Sequence, residues 1–539
     1  MRNLRIQAHR LILVTASLAA AVSCGGGGNQ PLPVPPDIKA VFDKPLYKGA
    51  LWGIRVVDLD TGAARIDLNS SHKFYIGSVR KIFILGAMLN QIGPDYHYDT
   101  AVYRQGIVDQ AGVLQGDLIV LASGDLTVGG RTNPDGSIAF TALDHNEANS
   151  LGNALLTAPD PLAGYAALAR QVAASGIKEV SGEIAIDDRL FQFDFRNEFM
   201  VKPIFVNDDV VDLVIQPAAD GMPASVTHRP ISAALAVDNA LLMSGAGTTA
   251  NINLDPEFPA CIGQPGCTAR IAGNLPVDFV PPIVNLFPLV RTVRIVQPSN
   301  YARTVLIEQL QAAGVKVDAP AVETNPVQIL PAQKSYAQTD RVALLTGTPF
   351  INDARLVLKV SYNIGADTSL MLWGLTQGAH TMSDALAAER NNLAANYGIQ
   401  PSEYNFIDGA GGGETVATPT VVVQMLGRMY QSPVYAQYAD AMPGLGVDGS
   451  LQTTTDFEMD HTLAGAKGQV HAKTGTLVTG SESGLILNAQ SLAGYVNTRS
   501  GKHLIFQVVV NDVPISSLND VVQAFQDQAT IAATLWRDY

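Results

Sequence analysis

The helix that starts near Ser78 constrains this chain most, because Ile82, Phe83, Leu85, Met88 and Leu89 leave it apolar on most faces until Gly93-Pro94 stops it. Such a helix needs other elements around it and belongs at the centre of a domain. A hairpin precedes it: Leu51 to Leu59 reads as a strand, Asp60-Thr61-Gly62 as a turn, and Ala64 to Leu68 as the returning strand. Helical patterning resumes at Asn300 to Ala313, around Asp353 to Val360, and after Thr418-Pro419, where Thr caps and Pro suits the first turn. Strand-like segments Gln469 to Ala472, Gly484 to Leu487, Leu492 to Val496 and Leu504 to Val510 then lead to a final helix around Leu518 to Trp536. Between about residues 100 and 300 the texture is one of short runs such as Asp117 to Ala122 and Gly182 to Ile186, broken by Gly, Pro and Asn. The expected fold is an α/β (α+β) sandwich, an antiparallel central sheet flanked by helices and split by one or two inserted β-rich domains.

With 539 residues, 47% of them apolar and 16% charged, the chain has material for two to four folded units. The expected boundaries are 1–23 for an export signal, 24–40 for a tether, 41–98 for the first part of the main domain, 99–315 for the insertion and 316–539 for the second part. A net charge of -14 without any Lys/Arg run speaks against nucleic acid as a partner.

Arg2, Arg5 and Arg10 precede an apolar run, Leu11 to Val22, that is too short to remain as a membrane span and reads as an export signal. Its end, Ala21-Val22-Ser23-Cys24, resembles the lipobox of bacterial lipoproteins, although Ala21 stands where leucine is usual. On that reading Cys24 becomes the lipidated N-terminus, with Gly25 to Gly28 and a Pro-rich stretch through Pro36 as tether; the alternative is a conventional signal cut near the same place. The expected location is the periplasm, on the outer membrane. Cys261 and Cys267 suit a small disulfide loop in an oxidising compartment, with two free thiols as the alternative; their spacing and the lack of a nearby His pair do not suit zinc.

Ser78-Val79-Arg80-Lys81 puts a hydroxyl and an amine on one face at a helix start, where the helix N-terminus adds positive potential. A serine becomes a nucleophile when a base takes its proton, and a lysine can serve when burial or a second cation keeps it neutral part of the time. The pattern alone is weak: roughly two Ser-x-x-Lys matches arise by chance in a chain of this length. Ser70 to Lys73 and Ser175 to Lys178 also match. Ser361-Tyr362-Asn363, after a helix, is as weak alone, whereas Lys473-Thr474-Gly475, expected at the end of a strand, arises by chance in roughly one such chain in ten.

In this order and these settings the three motifs resemble those of penicillin-binding proteins and serine β-lactamases. Further stretches narrow the resemblance to the low-molecular-mass class C penicillin-binding proteins, the D-Ala-D-Ala carboxypeptidase/endopeptidases with domains inserted between the first two motifs. They are Asp58-Leu59-Asp60-Thr61-Gly62, Gly116-Asp117-Leu118 with Ser123-Gly124-Asp125, Val206-Asn207-Asp208, Asp408-Gly409-Ala410-Gly411, and Gly446-Val447-Asp448-Gly449-Ser450-Leu451. The long gap from Ser78 to Ser361 suits inserted domains and is too long for a simple β-lactamase. Gly77 stands where Ala is usual, Tyr362 where Asp is common, and Ala410-Gly411-Gly412-Gly413 where Ser-Gly-Leu-Ser is usual; residues Arg131 to Asp160 match no stretch that can be placed, which leaves the geometry of the first inserted domain open.

The resemblance implies attack by Ser78 on the penultimate D-Ala carbonyl, Lys81 as base, and an acyl-enzyme hydrolysed by water. It implies an oxyanion hole from the backbone N–H groups of Ser78 and Thr476. It also implies proton relay and substrate holding by Ser361 and Asn363, and a terminal-carboxylate site from Lys473, Thr474, Gly475 and Thr476. Peptidoglycan peptides ending in D-Ala-D-Ala and β-lactam antibiotics are the implied ligands, without metal or cofactor. The deacylating base stays open, since no Glu-x-x-Leu-Asn stretch occurs. Asp187-Asp188, Asp408 and Asp448 read as turn residues and His471 as a structural strand position. No His-Glu-x-x-His or Gly-x-Ser-x-Gly occurs. The competing readings are a β-lactamase and a catalytically silent wall-binding lipoprotein.

Overall fold

The computed structural model describes residues 32–196, 199–481 and 484–539. The expected export signal and Cys24 lie outside the described residues. Leu51–Asp58 and Ala64–Leu68 form the expected hairpin, and the first strand pairs along its whole length with His503–Asn511, so the two ends of the chain share one sheet. The strand order is Ala64–Leu68, Leu51–Asp58, His503–Asn511, Gly484–Asn497, Val470–Ser481, antiparallel throughout, with Val513–Ile515 added beside Gly484–Asn497. Side chains alternate between its faces. Leu492, Val496, Phe506, Val508 and Val510 enter one apolar core with the terminal helix Leu518–Asp538, whereas Ala493, Tyr495, Ile505 and Val509 enter another with helices Lys81–Ile92 and Pro419–Tyr430. Ile82 to Leu89 is buried throughout, as its composition demands.

Two strand assignments differ from expectation. Gly484 to Leu487 and Leu492 to Val496 belong to one strand, Gly484–Asn497. The polar residues between them are accommodated in the sheet: Gln490 Oε1 accepts from Thr476 Oγ1 at 3.0 Å, and Ser491 Oγ accepts from Gln507 Nε2 at 3.2 Å. Lys473 to Gly475 does not end a strand but sits inside Val470–Ser481, because Gly475 and its neighbours stay in the ladder opposite Ser491.

Among the described residues, the region after Asp99 contains three larger sheets. One runs Lys316–Val317, Glu179–Val180, Val113–Leu121, Asp99–Val108, Arg341–Thr346, with Ile184–Asp187 beside Val113–Leu121. The others are Ser225–Arg229, Val210–Gln216, Leu289–Arg294 and Ala236–Ser244, Thr268–Pro276, Asn251–Asp255. The first sheet extends past residue 315, the expected end of the insertion, because Lys316–Val317 pairs with Glu179–Val180 and Arg341–Thr346 with Asp99–Val108. At the other end the expected tether through residue 40 overlaps helix Pro36–Phe42, whose Ile38 and Val41 are buried in the core of the terminal helix. Pro36 takes the first helical position, where its missing N–H costs nothing. Cys261 and Cys267 are joined by a disulfide. No helix among the described residues is long and apolar enough to cross a membrane.

Candidate active site

Ser78 lies on a turn of 3-10 helix, Gly77–Arg80, that runs directly into helix Lys81–Ile92. The turn lies flat on strand Val470–Ser481. A Cβ on Gly475 would come within 2.1 Å of Ile76 O, and one on Gly77, whose φ is +50°, within 2.8 Å of Thr476 N. These two glycines bring the backbone of Ser78 alongside Thr476, where the two implied oxyanion donors sit. The third is Gly411, with φ +100°, whose Cβ would meet Gly77 O at 2.1 Å. Gly77, where Ala is usual, therefore packs against Gly411, which keeps the usual glycine: backbone lies on backbone where a Cβ on Gly411 has no room.

Lys81, fully buried, places its Nζ 2.6 Å from Ser78 Oγ, 2.7 Å from Asn363 Oδ1, 2.8 Å from Ala410 O and 3.4 Å from Ser361 Oγ. Ser361 joins helix Phe350–Lys359 to helix Asn363–Thr376 in a left-handed conformation, φ +64°, which costs a non-glycine residue about 1–3 kcal/mol. That conformation aims its hydroxyl between two lysines, since Lys473 Nζ donates to Ser361 Oγ at 2.9 Å and to Thr474 O at 2.7 Å. Thr474 Oγ1 is 2.9 Å from Ser450 Oγ, which ties the Gly446–Leu451 stretch to the site. The structure thus brings together Ser78, Lys81, Ser361, Asn363, Lys473, Thr474, Gly475 and Thr476 from segments far apart in sequence.

Burial pulls the Lys81 ammonium down to about 8, against the opposing charges of Asp367, Asp408 and Glu147. Burial and then the neighbouring Lys81 hold Lys473 well below the ordinary lysine range, with Glu147 opposing. Two buried amines sharing one hydroxyl therefore lose a proton readily, which is what a basic lysine requires.

Three acids absent from the sequence reading shape this pocket. Asp367 accepts from Gly409 N at 2.7 Å and Ala410 N at 3.1 Å, which turns Ala410 O toward Lys81. Glu389 forms a paired hydrogen bond with the buried Arg80, at 2.9 and 2.5 Å, and Arg80 Nε donates to Asp408 O at 2.9 Å. Glu147 accepts from Asn363 Nδ2 at 3.1 Å. Each is an isolated acid in its own segment, and no local spacing marks it.

The acids read as turn residues do structural work. Asp408 accepts from Gly411 N at 2.7 Å and Gly412 N at 3.0 Å; Asp448 accepts from Lys359 Nζ at 2.7 Å; Asp187 holds Arg189 and Tyr336; and Asp188 pairs with Lys202. His471 lies within strand Val470–Ser481, its imidazole pulled down by burial and then by Lys359. Asp144, His145 and Asp208 converge as three potential metal ligands. The guanidinium of Arg131 already stands among them, paired with both carboxylates and 2.8 Å from His145 Nε2, so a cation's place there is taken.

In sequence the chain is similar to the D-alanyl-D-alanine carboxypeptidase of Actinomadura sp. (strain R39), 25% identical over 505 residues that make up 88% of this chain and 80% of that relative. In fold it is similar to penicillin binding protein 4 of Haemophilus influenzae, with a TM-score of 0.67 at 16% identity over 93% of this chain and 99% of that one. The same Haemophilus influenzae protein complexed with a novel β-lactam gives a TM-score of 0.65. The model of the D-Ala-D-Ala carboxypeptidase 3 (S13) family matches residues 36–532, the stretch that holds every residue of the pocket, and the chain belongs to that family.

Proposed function

We propose that this serine D-Ala-D-Ala carboxypeptidase works through Ser78, with Lys81 as base. The observation that carries the assignment is the buried Lys81 amine 2.6 Å from Ser78 Oγ. Ser78 Oγ bonds to the penultimate D-Ala carbonyl carbon as its proton passes to Lys81 Nζ, and the backbone N–H groups of Ser78 and Thr476 receive the oxyanion. Ser361 then carries a proton to the departing D-Ala nitrogen as the C–N bond breaks, leaving the acyl group on Ser78. Water cleaves that ester. The substrate's terminal carboxylate belongs beside Lys473, Thr474 and Thr476, where its charge favours a proton on Lys473. The hydroxyl of Ser361, between the two amines, gives that proton a route from Lys81. A β-lactam, with its carboxylate near a strained amide, enters by the same acylation.

Release of D-Ala from a peptide ending in D-Ala-D-Ala, followed between pH 6 and 9, tests this. The neutral fraction of Lys81 grows as pH rises through about 8, so kcat/KM is expected to climb roughly tenfold per unit well below that value and to level above it. A flat profile through pH 8 would overturn Lys81 as base.

The central sheet, covered on one side by the terminal helix and on the other by the nucleophile-bearing helix, supports a sandwich of the β-lactamase/DD-peptidase type with β-rich domains inserted between the first and second motifs. The N-terminal sequence supports export, cleavage before Cys24 and lipidation that holds the enzyme at the periplasmic side of the outer membrane. The Cys261–Cys267 disulfide suits that compartment. Mass spectrometry of the N-terminal peptide from membrane-extracted protein is expected to find a diacylglyceryl-modified Cys24; an unmodified start downstream of Cys24 would reject the anchor.

A further inference from the structure

Residues 131–160, which no motif of the sequence marks, deliver a carboxylate to the reacting groups. Glu147 ends the short 3-10 turn His145–Glu147, and the residues just before it are held on all sides. Arg131 binds both oxygens of Asp144 at 2.7 and 2.8 Å. His145 Nδ1 lies 2.7 Å from Asp212 Oδ1, Asn146 Nδ2 donates to Asp144 Oδ1 at 2.7 Å, and Arg294 donates to Asn146 O at 3.0 Å. Just after it, Asn149 exchanges two hydrogen bonds with the backbone of Thr292, at 2.8 and 2.9 Å. Asp144, His145, Asn146, Asp208 and Asp212 are all buried. Buried ion pairs and hydrogen bonds on both sides hold this segment in place, with Asn146 Oδ1 left without a partner. The result is the placement of the partly exposed Glu147 at 3.1 Å from Asn363 Nδ2.

The amide of Asn363 has an oxygen on one side and a nitrogen on the other, and its two neighbours tell them apart. Lys81 Nζ donates to Oδ1 at 2.7 Å, while Glu147 accepts from Nδ2. A flipped amide would set its N–H groups against the lysine and its oxygen against the carboxylate, so both contacts would turn repulsive. With one N–H given to Glu147, the second remains for a substrate carbonyl.

We propose that Glu147 is a positioning residue for the reaction, which locks the Asn363 amide with its oxygen toward Lys81. Its carboxylate also stands among the charges around the two active-site lysines and favours their protonated forms. The inference rests on Lys81 acting as the base. The charged groups acting on Lys81 are Asp367 from helix Asn363–Thr376, Asp408 from the loop before Pro419–Tyr430, Glu147 from the insertion and Arg80 from its own turn, while Lys473 from the strand faces it across Ser361. Glu147 is the carboxylate that acts on both lysines.

Two substitutions in the full chain separate the two roles. Glu147→Gln keeps an oxygen to accept from Asn363 Nδ2 and removes the charge; Glu147→Ala removes both. The rate of acylation by a fluorescent penicillin is read from pH 5.5 to 9. For Glu147→Gln the expected result is a plateau within about threefold of wild type and an acid limb moved down by roughly half a unit to one unit, because Lys81 gives up its proton more easily. For Glu147→Ala the same shift is expected, together with a plateau lowered about tenfold or more as Asn363 loses its orientation. An acid limb for Glu147→Gln that coincides with wild type, or moves up, overturns the electrostatic role. A plateau for Glu147→Ala equal to that of Glu147→Gln overturns the orienting role. Absence of acylation in the wild type would instead sink the reading of Ser78 and Lys81 on which the inference rests.

Discussion

Ser78→Ala is expected to lose the covalent penicillin adduct completely in intact-mass analysis and to release D-Ala at a rate lower by on the order of 10^3-fold or more. The reason is local. Deleting Oγ removes the atom that forms the acyl ester, while Lys81 keeps its contacts to Asn363 Oδ1 and Ala410 O, so the pocket stays assembled. The hydroxyl lost is partly exposed, and its removal is expected to change stability by less than about 1 kcal/mol. The loss of activity therefore reads chemistry and not unfolding, which the unchanged denaturation midpoint of the variant will show. An adduct that persists at the same rate would assign the nucleophile elsewhere. The first residue to test would then be Ser361, whose hydroxyl lies within reach of both Lys81 and Lys473.

The side chains of the proposed acylation site were legible in the sequence because that chemistry needs particular residue types at short local spacing: Ser78 with Lys81 on one helical face, Ser361 with Asn363 across a helix junction, Lys473 with Gly475 along a strand. The acids that orient them were not. Asp367, Glu389 and Glu147 act on partners in other segments, Glu389 on Arg80 and Glu147 on Asn363, and a lone acid on a helix or turn carries no sign of what will fold against it. Gly475 shows the same limit in the backbone. In sequence it reads as the residue that ends a strand; in the fold it continues the ladder opposite Ser491, and its missing Cβ lets Ile76 O lie against it. The first hairpin and the helices near Ser78, Asn300, Asp353, Pro419 and Leu518 were legible from their apolar patterning and caps, whereas Ala163–Ala174, Asn363–Thr376 and Met382–Tyr397 were not read as helices. The end of the insertion was not, since the closing strand Arg341–Thr346 pairs with Asp99–Val108, a partner chosen by tertiary packing.

Glu389→Ala is expected to be the most damaging stability change near the site, at about 3–5 kcal/mol. Arg80 is fully buried and Glu389 is 1% exposed, so each charge has left water for the other. The guanidinium also stacks on Phe406, 4.3 Å from the ring centroid, and donates to Asp408 O, which leaves it no path to solvent. Removing the carboxylate strands a cation in the core, and the penalty for that exceeds what the pair contributes when intact. The damage should also reach the chemistry. Arg80 braces Asp408, Asp408 braces Gly411 and Gly412, and that loop presents Ala410 O to Lys81. The measurement is the urea midpoint for loss of penicillin labelling, which reports this region of a multidomain chain without assuming that the whole unfolds in one step. Replacing both partners, as Arg80→Met with Glu389→Leu, should recover most of the lost midpoint, because an apolar pair of similar size strands no charge. A double variant as unstable as Glu389→Ala would show that the hydrogen bond from Arg80 to Asp408 O, and not the ion pair, holds this part of the active site together.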